Sequence, residues 1–225
     1  MTLSPSSIAF RREPIVRLRD GAILGEEWLL DHRPLPDRKK DWLVVVMAMV
    51  EKVPVAKTPD DRFISVNADT EQLSCPHFQP LWVALARRCR ETQRRLVIEW
   101  TESARSVSKD AVNLLACLRE DLGAQIAIDD VGSAGLDSLW RMTQIRPDWI
   151  KVDGNFFHRA LVDPFTRDGL RRIVDMANEN RIECVVEWIE NAEHLDAARE
   201  YGMDYGQGFW WTKPIAQRRT PCNVP

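Results

Sequence analysis

Histidine is scarce in this chain, and its four copies, His32, His77, His158 and His194, form no HxH or HExxH pattern. A histidine-built zinc or copper centre is therefore not expected, and all four side chains are assigned to the surface. The five cysteines, Cys75, Cys89, Cys117, Cys184 and Cys222, are odd in number and scattered, with no CxxC pair. That argues against a zinc ribbon or a disulfide framework and for free thiols in a reducing compartment. Long apolar runs are missing too: the longest, Trp42 to Val50, falls far short of a membrane span, and no signal pattern opens the chain. There is no basic excess either, since the formal net charge is -3 at pH 7. Neither DNA nor an anionic membrane is expected as a partner, and a cytoplasmic location follows. No GxGxxG or GxxxxGK[ST] follows a strand-like run, which weakens a doubly wound nucleotide-binding sheet. The length suits one domain over residues 1–225, with a core over about 10–216 and frayed ends.

What the chain does contain is an alternation of strand-like and helix-like stretches. Pro14 to Leu18 and Ala22 to Leu30 flank Arg19-Asp20-Gly21, a hairpin signal that makes the first two strands antiparallel. Trp42 to Lys52 reads as a buried helix, although periodicity alone leaves a strand open. A turn at Thr58 to Asp61 precedes a strand from Phe63 to Val66, and a helix runs from about Phe78 to Thr92. Further strands are expected at Leu96–Ile98, Gln125–Ile128, Asp148–Val152, Glu183–Val186 and Asp204–Phe209. Between them, Ala111, Leu114, Leu115, Leu118 and Leu122 form one apolar helical face, and Leu170, Ile173, Val174 and Ala177 form another. Short helices are expected near Leu136–Met142 and over Ala192–Tyr201, and the tail from Gln217 reads as frayed. Successive strand-helix-strand units force parallel strands with right-handed crossovers, in an open sheet or a closed barrel.

The residues that end the strands decide between the two. Ile126-Ala127-Ile128 stops at two adjacent carboxylates, Asp129 and Asp130, with a Gly-rich turn after them. Taken alone the pair has a bland explanation, Asp130 capping a helix and Asp129 solvated. Taken with the other strand ends it does not: Asn67, Glu99, Asp129, Asp153, Glu187 and Gln207 each close a successive candidate strand. In a closed barrel such ends share one rim, where active sites are built. Oxygen ligands without clustered His or Cys select Mg²⁺ or Mn²⁺, and a carboxylate-rich two-metal centre suits phosphodiester hydrolysis. Lys151, two residues before Asp153, shares the interior face with it, as a structural counter-ion or as a group that orients the attacking water.

These residues, in this order and spacing, resemble the EAL-domain family of cyclic di-GMP phosphodiesterases. The resemblance runs from Glu13-Pro14-Ile15-Val16 to Gln207-Gly208-Phe209 and on to Lys213-Pro214. Its pieces are Glu27-Trp28-Leu29, Ser65-Val66-Asn67, Glu99-Trp100-Thr101-Glu102, Asp129-Asp130-Val131-Gly132-Ser133, Lys151-Val152-Asp153 and Glu187-Trp188-Ile189-Glu190. It implies a modified (β/α)8 TIM-like barrel whose first strand is antiparallel, and a two-metal Mg²⁺ or Mn²⁺ site. Metal ligands would be Glu27, Asn67, Glu99, Asp129, Asp130, Asp153 and Glu187. Lys151 would assist the water, Glu190 would anchor the loop after the aspartate pair, and Gln207 would line the site. Substrate contacts would fall on Leu29, Gln207 and position 31. The implied reaction opens cyclic di-GMP to linear 5'-pGpG, and the implied partners are cyclic di-GMP, a second copy of the chain and a regulatory protein.

Several residues depart from the family pattern. Asp31 stands where an arginine commonly meets substrate phosphate, and Glu13 opens a motif that begins with glutamine. The segment from Leu30 to Phe63 is short, and Ala134 adds a residue after the aspartate pair. Trp28 and Trp188 replace small residues, and strand alternation points both toward the helix layer, so core packing is expected of them before base stacking. The departures motivate a second function, a weak or inactive EAL-like regulator that binds cyclic di-GMP or a protein. A third, a Mg²⁺ barrel enzyme stabilising an enolate, is supported only by the acids.

Overall fold

A computed structural model of the chain describes residues 3–31, 35–54, 62–101, 108–133 and 137–212. The first segments are β1 (Phe10–Arg17), β2 (Ile23–Leu30), α1 (Lys39–Lys52), β3 (Phe63–Ala68), α2 (Thr70–Ser74) and α3 (Gln79–Glu91). They are followed by β4 (Arg95–Trp100), α4 (Lys109–Leu122), β5 (Gln125–Val131), α5 (Asp137–Ile145), β6 (Trp149–Val152) and α6 (Gly154–Val162). The last described elements are α7 (Pro164–Asn180), β7 (Glu183–Val186), α8 (Ala192–Glu200), β8 (Tyr205–Gly206) and α9 (Phe209–Thr212). The strands are ordered β1 to β8 in a closed barrel. β1 pairs antiparallel with β8, Val16 opposite Gly206, whereas β3–β4, β5–β6, β6–β7 and β7–β8 are parallel. The expected barrel with an antiparallel first strand is therefore the observed fold.

Two compact units are distinguishable. One comprises the residues up to Arg12 and Glu26–Ile126. Its strands β3 and β4 are buried on both faces, which is what near-continuous apolar strand sequences produce. Alternation puts Ser65 and Asn67 on one face of β3, in register with Val97 and Glu99 of β4. On β4 the next residue, Trp100, points the other way and donates through Nε1 to Thr70 of α2 at 3.0 Å. In α4 the apolar stripe buries Ala111, Leu114, Leu115 and Leu118; Ser108 caps its start and Gly123, in the left-handed region, its end.

The other unit comprises Glu13–Gly25 and the residues from Ala127. The expected hairpin turn is present: the Arg17 N–H donates to the Ala22 carbonyl at 2.8 Å. Helix α7 starts from an Asp163 cap with Pro164 in its first turn and buries Leu170, Val174 and Ala177. Here the sequence reading needs two corrections. Helix α6 was not anticipated; Asp153 is its N-cap, accepting from the Phe156 N–H at 2.9 Å. The last strand is only Tyr205–Gly206, and Phe209 belongs to a short helix.

Among the described residues no helix is long and apolar enough to cross a membrane. Cys75, Cys89, Cys117 and Cys184 are free thiols, and burial pushes Cys89 and Cys184 up to about 12. The expectations that rest on His32, Thr58–Asp61, Glu102, Ala134, Leu136, Lys213-Pro214, Cys222 and the tail lie outside the described residues.

Candidate metal and phosphodiester site

In the first unit, Asn67 and Glu99 each stand one residue before the end of β3 and β4, whereas Glu27 lies inside β2. Glu27 of β2 is buried, and its Oε1 accepts from the Asn67 amide at 2.6 Å. Glu99 is fully buried, and its Oε1 accepts from the Ser65 hydroxyl at 2.5 Å. Each of these two carboxylates thus has a neutral side-chain donor on one oxygen. The motif Ser65-Val66-Asn67 does not by itself mark Ser65 as a donor to Glu99; its position two residues before Asn67 on the same face is the available signal.

In the second unit the aspartate pair owes its shape to a β-bulge. Ile128 is opposite Ile150 and Val131 opposite Val152, so β5 carries one residue more than β6 between the two pairs. Asp130 takes the extra position with φ +58, in the left-handed region that Asp tolerates better than most residues. Strict alternation would separate Asp129 from Asp130, and the bulge brings both toward the same side. Asp130 lies inside β5, so the helix-cap explanation for it fails.

Asp129, Asp130 and Glu187 each offer a carboxylate oxygen within 4.8 Å of the other two. Lys151, almost wholly buried, donates to Glu187 Oε1 at 2.7 Å and lies 3.5 Å from Asp129 Oδ1. That Asp129 oxygen is buried and accepts no hydrogen bond among the described residues. Burial, then the neighbouring Asp129 and Asp153 charges, push Asp130 up to about 6, against weaker opposition from Lys151 and Arg141. Three clustered acids, a buried carboxylate oxygen that accepts no hydrogen bond among the described residues and a carboxyl with a raised pKa suit a divalent cation as their neighbour. The donor set is all oxygen, which fits Mg²⁺ or Mn²⁺.

Other expected residues fall less centrally. Asp153 spends Oδ1 on capping α6 and is not part of the triad. Gln207 is buried and donates to Glu13 Oε2 at 3.3 Å, which brings a departure from the family pattern into contact with a predicted site residue. Glu190 is exposed, Leu29 is half-buried, and Asp31 is exposed on the main-chain bond from its N–H to the Ala9 carbonyl. Arg141 of α5, buried and donating to the Asp129 carbonyl at 3.2 Å, was missed. Nothing in the helical period marks a buried arginine.

The two tryptophans behave differently. Trp28 is core, as expected, stacked on Phe10 with ring centroids 5.6 Å apart. Trp188 is not: it is 47% exposed with φ +57, because the chain has left β7 at Val186 and strand alternation no longer applies. The surface assignment of the histidines needs a matching correction. His77 is exposed, but His158 and His194 are half-buried with ring centroids 4.2 Å apart. Burial, then the neighbouring His158, lowers the pKa of His194.

A family model described as the EAL domain matches residues 41–214, which leaves Glu27 outside the matched segment. The probable cyclic di-GMP phosphodiesterase PdeG of Escherichia coli K12 is 27% identical over 90% of this chain and 44% of its own length. The probable cyclic di-GMP phosphodiesterase PdeI of the same organism is 32% identical over 71% of this chain and 20% of its own. The chain spans less than half the length of these curated relatives. Among solved structures, the EAL enzyme Bd1971 in its cAMP- and cyclic-di-GMP-bound form has a TM-score of 0.78 at 22% identity, covering 93% of this chain and 62% of that one.

Proposed function

Because this chain belongs to the EAL-domain family, we propose that it is a metal-dependent phosphodiesterase that hydrolyses cyclic di-GMP to linear 5'-pGpG. The observation that carries this reading is the triad of Asp129, Asp130 and Glu187 around the buried Lys151. Glu27, Asn67, Glu99, Asp129, Asp130, Asp153 and Glu187 are the proposed ligands of two Mg²⁺ or Mn²⁺ ions. When bound there, such ions would neutralise charge on phosphoryl oxygens and lower the pKa of a water so that hydroxide is available near neutral pH.

The remaining work falls to the chain's own groups. Lys151 holds Glu187 and faces Asp129, so its ammonium orients the acids and stabilises negative charge developing on the phosphoryl group. Asn67 and Ser65 fix Glu27 and Glu99 in single rotamers, which pre-organises ligands before substrate arrives. Gln207, held by Glu13, offers its amide to the substrate. Residues 1–225 are proposed to form one barrel domain that works in the cytoplasm, and Leu139 and Trp140, exposed on α5, are the proposed apolar face for self-association.

A second reading, binding of cyclic di-GMP without turnover, is favoured by one observation: the family match begins after Glu27 and Asp31. Hydrolysis measured across a metal series, with binding recorded in parallel, separates the two. The enzyme reading expects linear product with Mn²⁺ or Mg²⁺, and loss of product in both Glu27→Gln and Glu187→Gln. Product formation that survives either substitution rejects the joint ligand set; ligand binding without product selects the regulator.

A further inference from the structure

Trp188 occupies a conformation its side chain does not favour, and the surroundings hold it there. Its φ of +57 lies in the left-handed region, where a bulky aromatic is a genuine outlier. The Trp188 carbonyl faces two imidazole nitrogens, His158 Nε2 at 3.0 Å and His194 Nδ1 at 3.3 Å. The indole rests against Gly154, the first residue of α6, where a Cβ of any kind would overlap the ring. Its edge meets the His158 ring at a centroid distance of 6.2 Å. Glycine at 154 thus makes the seat, and the two histidines fix the backbone above it.

The seat lies beside the proposed chemistry. Glu187, which pairs with Lys151, immediately precedes the tryptophan, and Asp153 immediately precedes Gly154. A core tryptophan would be covered, as Trp28 is; this one is seated against glycine and still 47% exposed. A rigid, half-open indole next to a cluster of phosphate-handling groups is suited to a planar ring carried on a phosphodiester. We infer that Trp188 is a stacking face for one nucleobase of the cyclic dinucleotide, and so sets substrate affinity rather than the rate of the chemical step. This rests on the phosphodiesterase reading above.

The test compares wild type with Trp188→Gly and Trp188→Phe. Glycine relieves the left-handed strain, so the variant should fold, and a thermal melt checks it. Base–aromatic stacking predicts a rise in KM for cyclic di-GMP of roughly 5- to 150-fold in Trp188→Gly. The same reasoning leaves kcat and Mn²⁺ affinity near wild type, and the phenylalanine variant retains most of the affinity. An unchanged KM overturns the inference, as does a parallel fall in kcat and Mn²⁺ affinity, which would mean that the indole merely props Glu187. If the wild type binds cyclic di-GMP without cleaving it, the same shift is read in Kd, and the enzyme reading alone has failed. A wild type that neither binds nor cleaves overturns both.

Discussion

Asp130→Asn should make the metal-free protein more stable while removing its grip on metal. The carboxyl of Asp130 is raised from 3.8 to about 6, first by burial and then by Asp129 and Asp153. A folded-state pKa above the unfolded one means that the native protein binds this proton more tightly. Stability from that proton is complete below the unfolded value and is lost as pH rises through the folded value. Two units would correspond to about 3 kcal/mol. Asp130 is only partly buried, so solvent screening brings the figure to about 1–2 kcal/mol. Asparagine keeps the shape, tolerates the left-handed φ and carries no charge. Above neutral pH in chelator, the variant should melt roughly 2–8 °C higher than wild type, and the gain should shrink steadily as pH falls from 7 to 4. Adding Mn²⁺ should raise the wild-type melting temperature and leave the variant nearly unmoved. A gain that is the same at pH 8 and pH 4 would falsify the electrostatic account; a variant that responds to Mn²⁺ like wild type would remove Asp130 from the ligand set.

Lys151→Met removes the buried ammonium between Glu187 and Asp129 and should cost about 3–5 kcal/mol in metal-free denaturant unfolding. Mn²⁺ should restore part of that loss, since a divalent cation answers the same charge; no rescue would mean that the acids do not face a shared cation. Ser65→Ala deletes the donor to Glu99 Oε1 and should cost about 1.5–3 kcal/mol. Loss of kcat with unchanged melting would instead place Ser65 in contact with substrate.

The sequence was most legible where side-chain type repeats at equivalent places. Asn67, Glu99 and Glu187 could be placed at or beside strand ends because each stops an apolar run, whereas Asp129 lies two residues inside β5, which runs on to Val131. The helix faces of α4 and α7 were legible for the same reason, a sustained period. What escaped depended on single backbone torsions. No pattern distinguishes an Asp130 that ends a strand from one that bulges inside it, yet the bulge aims both aspartates. Trp188 was misplaced because alternation was extended two residues past the last ladder pair, into a stretch where φ turns positive. The buried Arg141 and the paired histidines were missed because burial of a polar group is a tertiary outcome, decided by partners far along the chain.

The acids of the second unit raise a question of cause that bears on function. Like charges this close are costly, and a chain selected only for stability would replace at least one by a neutral or apolar residue. Asp153 shows how such a residue can be retained for an ordinary reason, because capping α6 occupies one of its oxygens. Asp130 has no comparable occupation among the described residues: it lies inside a strand, in a left-handed torsion, with its pKa pushed up rather than down. Lys151 offsets part of the repulsion, but it faces Asp129 and Glu187 and leaves Asp130 reluctant to ionise. A position that is unfavourable in torsion and in charge is better explained by a ligand that repays both than by folding. A divalent cation would answer the charge, and the left-handed bulge would let two successive side chains reach it.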